Sequence, residues 1–144
     1  MRIAIASDHA GFELKAVLAT HLLAGHHEVT DLGTDSTESV DYPDYGEAVG
    51  RAVADGRAEF GVGVCGSGIG ICMAAGKVPG VRAATVHDVT SARLSRAHND
   101  ANVMCVGARF TGPQVALDAL DAFLAADFDG GRHTGRVAKI DAIS

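Results

Sequence analysis

No apolar run in the 144 residues approaches the roughly 18 needed to cross a bilayer, so no membrane partner is expected. Nor is there a CxxC pair. The three cysteines, Cys65, Cys72 and Cys105, are odd in number, which argues against a disulfide framework and for a reducing, cytoplasmic setting. A basic excess is missing too: 12 Lys and Arg face 18 Asp and Glu, a formal charge of −6, which disfavours nucleic acid as a partner. The opening "MRIAIASDHAGFELK" turns polar too soon for a secretory leader, so none is expected. No linker, internal repeat or low-complexity segment breaks the chain, which reads as one domain over 1–144.

What is present is alternation. Short apolar runs at 2–7, 27–33, 59–66, 81–88 and 102–109 read as strands. Between and after them, 11–25, 45–56, 69–77, 89–99 and 112–127 carry helical spacing or helix punctuation. The polar stretch "TDSTESVDYPD" is the longest expected loop. Nearly continuous apolar strands are those of a parallel sheet covered on both faces. The expected fold is an α/β three-layer α/β/α sandwich, Rossmann-like, with a five-stranded parallel sheet and a basic C-terminal arm at about 128–144. In such sheets ligands bind beyond the carboxyl ends of the strands, here at "SDHAG" (7–11), "CGSGIG" (65–70), "HD" (87–88) and "GAR" (107–109).

The stretch "VCGSGIGICMAAGK" (64–77) concentrates glycine and cysteine and has look-alikes to exclude. "GVGVCG" spells the dinucleotide pattern GxGxxG, but that pattern needs a strand before its first glycine. Gly61 and Gly63 alternate with valines and therefore lie inside the strand. A phosphate-binding P-loop fails on spacing, with five residues between Gly70 and Gly76 and no Ser or Thr after Lys77. Cys65 and Cys72 straddle a turn with no histidine at ligand spacing, so no metal is assigned. What remains is a strand ending in Cys65, the turn Gly66, Ser67, Gly68, Ile69, Gly70, and a helix. Amides at such a turn hold negative charge and favour the thiolate of a neighbouring cysteine. The alternative is a small core cysteine before a tight turn, and that reading is preferred for Cys72 and Cys105.

The other polar candidates divide similarly. Asp8 follows the first strand and can be a helix cap, while His9 beside it has no comparable structural excuse. His98 and Asn99 close a helix, where histidine also suits the dipole. Arg132 and Arg136, four apart, offer a two-pronged phosphate grip or a solvated basic face. Arg109, after the last strand, can join them or pair with an acid. A thiol, an imidazole, an amide cradle and arginines suit proton transfer beside a carbonyl in a phosphorylated metabolite.

Five stretches, "SDHAGFELK", "DYPDY", "CGSGIGICMAAGKVPGVRA", "SARLSRAHNDANVMCVGAR" and "GGRHTGRV", closely resemble the type B ribose-5-phosphate isomerase family, which includes galactose- and allose-6-phosphate isomerases. The resemblance runs over essentially the whole chain. It implies a homodimer or tetramer with sites shared between subunits, acting on a small phosphorylated sugar without metal or organic cofactor. It places Cys65 as the base moving a proton between C2 and C1 through a cis-enediolate. The turn Gly66 to Gly70 and the Ser67 hydroxyl hold the enediolate oxygens. His98 opens the furanose ring, with Asp8 assisting through sugar hydroxyls. His9, Arg132 and Arg136 take the phosphate, Arg109 and Asn99 are further ligand positions, and Tyr42 lines the pocket.

Three departures bear on this. Ile71 stands where another branch of the family has a glutamate, so the cysteine mechanism is assigned. Ser67 replaces the threonine common in cysteine-type members, and Gly76 replaces an asparagine. The expected activity is interconversion of ribose 5-phosphate and ribulose 5-phosphate. The alternatives are a six-carbon aldose phosphate as substrate, or a non-catalytic sugar-phosphate sensor. A sensor needs neither Cys65 nor His98.

Overall fold

The computed structural model describes residues 1–143. Strand β1 (Arg2–Ser7) leads through α1 (Phe12–Ala24) to β2 (Glu28–Asp31). Helix α2 (Tyr42–Ala54) returns to β3 (Phe60–Cys65), and α3 (Ile69–Gly76) leads to β4 (Ala83–Thr85). Then follow α4 (Val89–Asn99), β5 (Val103–Gly107), α5 (Pro113–Ala125), a 3₁₀ turn (Gly131–His133) and α6 (Thr134–Asp141). The five strands form one sheet in the order β2-β1-β3-β5-β4, every neighbouring pair parallel.

Alternation along the strands sorts side chains between two layers. Ile3, Ile5, Val62, Val64, Met104 and Val106 face α1, α4 and α5, where Leu14, Leu18, Leu120 and Phe123 complete the larger core. Ala6, Cys65, Val103 and Cys105 face α2 and α3 and pack with Val49, Ile71 and Ala75. Burying each large aliphatic or aromatic side chain contributes about 2 kcal/mol. Small residues on the second face let α2 and α3 lie close. A Cβ on Gly46 would sit 2.6 Å from the Ile71 carbonyl oxygen.

The chain reverses its direction of winding between β1 and β3, so the crevice beyond their carboxyl ends is the ligand position that this topology favours. Gly61 and Gly63 lie within β3, in keeping with the exclusion of a dinucleotide loop. One boundary differs from expectation. "DYPD" is not loop: α2 begins at Tyr42, with Asp41 before it and a proline in its first turn. Proline's fixed φ suits that position, where its missing N–H has no intrahelical partner to lose. Edge strands β2 and β4 are shorter than their apolar runs. Among the described residues no helix is long and apolar enough to cross a membrane.

Candidate active site

Cys65 ends β3 and is 3% exposed. The chain then turns through Gly66 and Ser67 to Gly68, whose φ of +74° is a left-handed conformation that glycine adopts without strain. A Cβ there would fall 2.7 Å from the Gly107 nitrogen, so the close approach to β5 also demands glycine. This geometry aims the Gly68 N–H at Cys65 Sγ, 3.1 Å away. The Ser67 hydroxyl accepts from the Ile69 N–H at 3.2 Å, leaving its own hydrogen to donate. Carbonyls on the far side of the turn are held by the exit of β5, through Ala108 N–H to Cys65 O and Arg109 N–H to Gly66 O, both 2.9 Å. Helix α3 then starts at Ile69, and its first amides have no intrahelical acceptor. A thiol thus sits among amide donors at a helix N-terminus, a setting for negative charge.

Other residues converge on this end of the sheet. Asp8 is buried and accepts the Gly11 N–H through Oδ1 at 3.0 Å. Asp8 is not the cap of α1, whose N-cap is Gly11 with no side-chain cap; its carboxylate instead closes the turn before the helix, which occupies one oxygen. His9 Nδ1 accepts the Val40 N–H at 3.1 Å, so its neutral ring carries the proton on Nε2, which is left as a donor. Tyr42 starts α2 and lies over Gly70, where a Cβ would meet its ring at 2.5 Å. Arg109 covers Gly66, its Nε 3.3 Å from where a Cβ would stand. Ile71 is fully buried in the α2/α3 layer.

The remaining candidates gather at the opposite end. Helix α4 runs antiparallel to the strands, so His98 and Asn99 in its last turn lie near the sheet's amino edge. There the Asn102 carbonyl accepts the Gly61 N–H at 2.9 Å. Cys65 is four residues further along β3, roughly 13 Å at the rise of a strand. The Asp129 N–H bonds the Ala97 carbonyl at 2.9 Å and docks the arm against α4. His133 stacks on His98 with ring centroids 4.3 Å apart and planes 13° from parallel. Arg132 Nε donates to His133 Nε2 at 3.4 Å. Arg136 follows on α6. Burial, His98, Arg132 and Arg136, in that order, hold the His133 ring below the usual histidine range against the opposing pull of Asp129. Within the chain the candidate residues therefore fall into two separate groups, one at each end of the sheet, and Cys65 and His98 are not brought together.

Residues 3–140 match the family model of the ribose/galactose isomerases. The chain belongs to that family. It is 46% identical over 142 residues to ribose-5-phosphate isomerase B of Escherichia coli (strain K12), covering 99% of this chain and 95% of that protein. It superposes on ribose-5-phosphate isomerase B from Clostridium thermocellum with a TM-score of 0.97, at 50% identity over 98% of this chain and 95% of the other. The enzyme from Mycoplasma genitalium, solved with bound ribulose-5-phosphate, matches with a TM-score of 0.93 at 42% identity, over 97% and 93% of the two chains.

Two features of this ribose/galactose isomerase were not assigned from sequence. His133 was visible only as one of several basic residues in the arm, and its stacking on His98 depends on a docking that no motif announces. His98, Asp129 and His133 also form the one group of potential metal ligands among the described residues, with ligand atoms within 4.8 Å of one another. Nearly parallel stacked rings direct their in-plane lone pairs side by side rather than toward one point, and Arg132 occupies His133 Nε2. The cluster suits an anion-facing aromatic stack better than a cation. Cys72 and Cys105 behave as a pair. The hydrogen bond with Cys105, then Thr85, brings the Cys72 thiol down to about 7. The same bond and complete burial push Cys105 well above the usual thiol range.

Proposed function

We propose that this chain interconverts D-ribose 5-phosphate and D-ribulose 5-phosphate, using Cys65 as the base. The observation that carries the reading is the Cys65 thiol held beside the Gly68 amide at the switch point of a ribose/galactose isomerase fold. Aldose–ketose conversion requires a proton to leave C2 and return at C1. The electron pair left on C2 moves onto the carbonyl oxygen, giving an enediolate. A buried thiolate near C2 takes the proton, and the amides of the Gly66 to Gly70 turn and the Ser67 hydroxyl donate to the oxygen that gains charge. Each such donor is worth about 3 kcal/mol of barrier in acyl-transfer enzymes. The same sulfur then returns the proton to C1 while the 2-hydroxyl proton passes to O1, so C2 becomes the carbonyl and the sugar is oxidised at C2 as it is reduced at C1, with no outside reductant.

Ribose 5-phosphate reaches the base only as an open chain. Opening breaks the C1–O4 bond, takes the proton from the anomeric hydroxyl and delivers one to the ring oxygen. His98 performs that transfer, and the free Oδ2 of Asp8 receives a sugar hydroxyl. Nε2–H of His9, Arg109, Arg132 and Arg136 grip the phosphate, and Asn99 and Tyr42 border the sugar. Fixing the phosphate holds the reacting carbons against sulfur.

The two half-sites are completed by a second copy of the chain. In a twofold pair each carboxyl-end half-site of one copy meets the amino-end half-site of the other, giving two equal sites. Ile69 and Met73 on α3, with Ile140 on α6, are large exposed apolar side chains at 46%, 68% and 46% and supply surface for such pairing. Three free cysteines accord with a cytoplasmic enzyme. The test offers ribose 5-phosphate and allose 6-phosphate separately, with a chelator present, and follows ketose formation by NMR. Conversion of the ribose ester in preference to the six-carbon ester is expected. Preference for the six-carbon ester would reassign the substrate, and no conversion of either would sink the reading.

A further inference from the structure

The amino-end half-site contains a side chain to which the proposed reaction gives no part. His133 is 8% exposed, although its neighbours Arg132, Thr134 and Gly135 are exposed. It is turned inward by two consecutive left-handed glycines, Gly130 at φ +65° and Gly131 at φ +55°, which reverse the chain at little conformational cost. The reversal is anchored by the Asp129 N–H on the Ala97 carbonyl, one residue before His98. The result is a flat ring stacked on the face of His98, 4.3 Å between centroids and 13° from parallel. Its Nε2 simultaneously accepts the Nε–H of Arg132. One buried imidazole thus touches both the ring assigned to opening the sugar and an arginine assigned to the phosphate.

We propose that His133 is the positioning residue of this half-site, orienting His98 by stacking and Arg132 by accepting its hydrogen bond. The inference rests on the isomerase reading above and assigns His133 no contact with the sugar. His98 lies at a helix end and is only partly buried. A side chain so placed retains torsional freedom that its proton transfer cannot use. A stacked ring removes that freedom while leaving the edge nitrogens open. Arg132 is exposed and long, and an acceptor at Nε orients the guanidinium so that its terminal nitrogens face outward. Because His133 Nε2 is an acceptor, its neutral form carries the proton on Nδ1, and Asp129 lies among the nearby groups. A neutral ring is also the form that its burial favours, and it avoids placing a second cation against His98.

The two contacts separate by substitution and by the step measured. Ribulose 5-phosphate is already an open chain, because the hydroxyl that would close its five-membered ring carries the phosphate. Conversion from ribose 5-phosphate needs ring opening, whereas exchange of the ribulose 5-phosphate C1 proton with solvent deuterium needs only the base and the enediolate. His133→Phe keeps the stack and loses the acceptor, whereas His133→Ala loses both. Initial rates from ribose 5-phosphate and the rate of that exchange, with thermal unfolding of each variant, give the readout. For His133→Phe, kcat from ribose 5-phosphate stays within about twofold while KM rises about fivefold, the worth of one hydrogen bond. For His133→Ala, kcat from ribose 5-phosphate falls roughly 10- to 100-fold, as misplacement of a reacting group does. Its exchange rate at saturating ribulose 5-phosphate stays within about threefold. Equal loss of turnover and exchange, no loss in either, or a phenylalanine variant as impaired as the alanine one overturns the proposal. A wild-type protein that converts neither sugar defeats the isomerase reading itself, and this inference with it.

Discussion

The Gly68 amide hydrogen meets Cys65 Sγ across 3.1 Å, from a residue whose φ of +74° is set by its approach to Gly107. The donor reaches sulfur because the backbone takes a path that a side chain would block. Charge stabilisation and turn geometry are therefore one feature, and two substitutions separate the chemistry from the scaffold that holds it.

Cys65→Ala removes the thiol proposed as the base and leaves the turn. Isomerisation should fall by about 10³ or more, in keeping with the loss of a positioned base. The amides and arginines persist, so inorganic phosphate or a sugar phosphate should bind within about threefold of wild type by calorimetry. Wild-type turnover by this variant would eliminate the thiolate, and loss of binding in parallel would mean that Cys65 acts on the pocket's shape instead.

Gly68→Ala attacks the scaffold instead. A left-handed φ costs a non-glycine residue about 1 kcal/mol or more, and the added carbon meets backbone at 2.7 Å, which cannot swing aside as a side chain would. Denaturant unfolding should show about 2 kcal/mol or more of lost stability, with activity reduced beyond the fraction unfolded. A neutral result on both counts would show that the turn is more yielding than its packing on Gly107 implies.

Much of this was legible in the sequence for identifiable reasons. Strand alternation placed Gly61 and Gly63 inside β3, and the sheet rule placed Cys65 and Asp8 in the same crevice, because both follow from periodicity and local order. The start of α2 at Tyr42 was less legible, since a polar run containing proline reads as loop until the helix's first turn is seen to tolerate it. His133 was not legible at all as a partner of His98. Their meeting depends on Asp129 bonding Ala97 across a sequence gap, a tertiary event without a local pattern. The separation of Cys65 from His98 was likewise invisible until α4 was seen to carry His98 back to the amino end of the sheet.

Arg82 links the end of α4 to α6. It reaches the Asp100 carbonyl at 2.8 Å, the Asp100 carboxylate at 3.1 Å and Asp141 of α6 at 3.1 Å. Asp100 follows His98 and Asn99 directly and also receives Arg96 at 2.7 Å. Arg82→Met keeps the stem and removes the bridge. The expected cost is about 2 kcal/mol, because the guanidinium is mostly buried while its acids are partly solvated. The arm bearing Arg132 and Arg136 should also become more protease-sensitive than α1 or α5. Uniform destabilisation without local opening of the arm would show that the bridge does not tether it.

His133 also gives stability a pH dependence of predictable sign. Its native ring is held below the ordinary value of 6.5, so the unfolded chain binds that proton at higher pH than the folded one does. Stability from this group is fully present above about 6.5 and is lost as pH falls, until the native ring also protonates. His133→Phe cannot titrate. The urea midpoint of wild type relative to His133→Phe should therefore decline between about pH 8 and pH 5. Midpoints that run parallel over that interval would remove the burial effect assigned to this ring.

The separation of Cys65 and His98 permits a test that needs no structure of a complex. Cys65→Ala and His98→Asn should each be nearly inactive alone. If each site takes its cysteine from one copy and its histidine from another, a mixed dimer carries one site with both native residues and one with neither. Random reassortment of equal amounts makes half of the dimers mixed, and half of their sites intact, so activity should recover to about a quarter of wild type. Recovery should require subunit exchange and appear only after the two variants are mixed and incubated. No recovery despite demonstrated exchange would require Cys65 and His98 to act within one protomer. The path of α4 opposes that arrangement, because it leaves the histidine at the far edge of the sheet from the thiol.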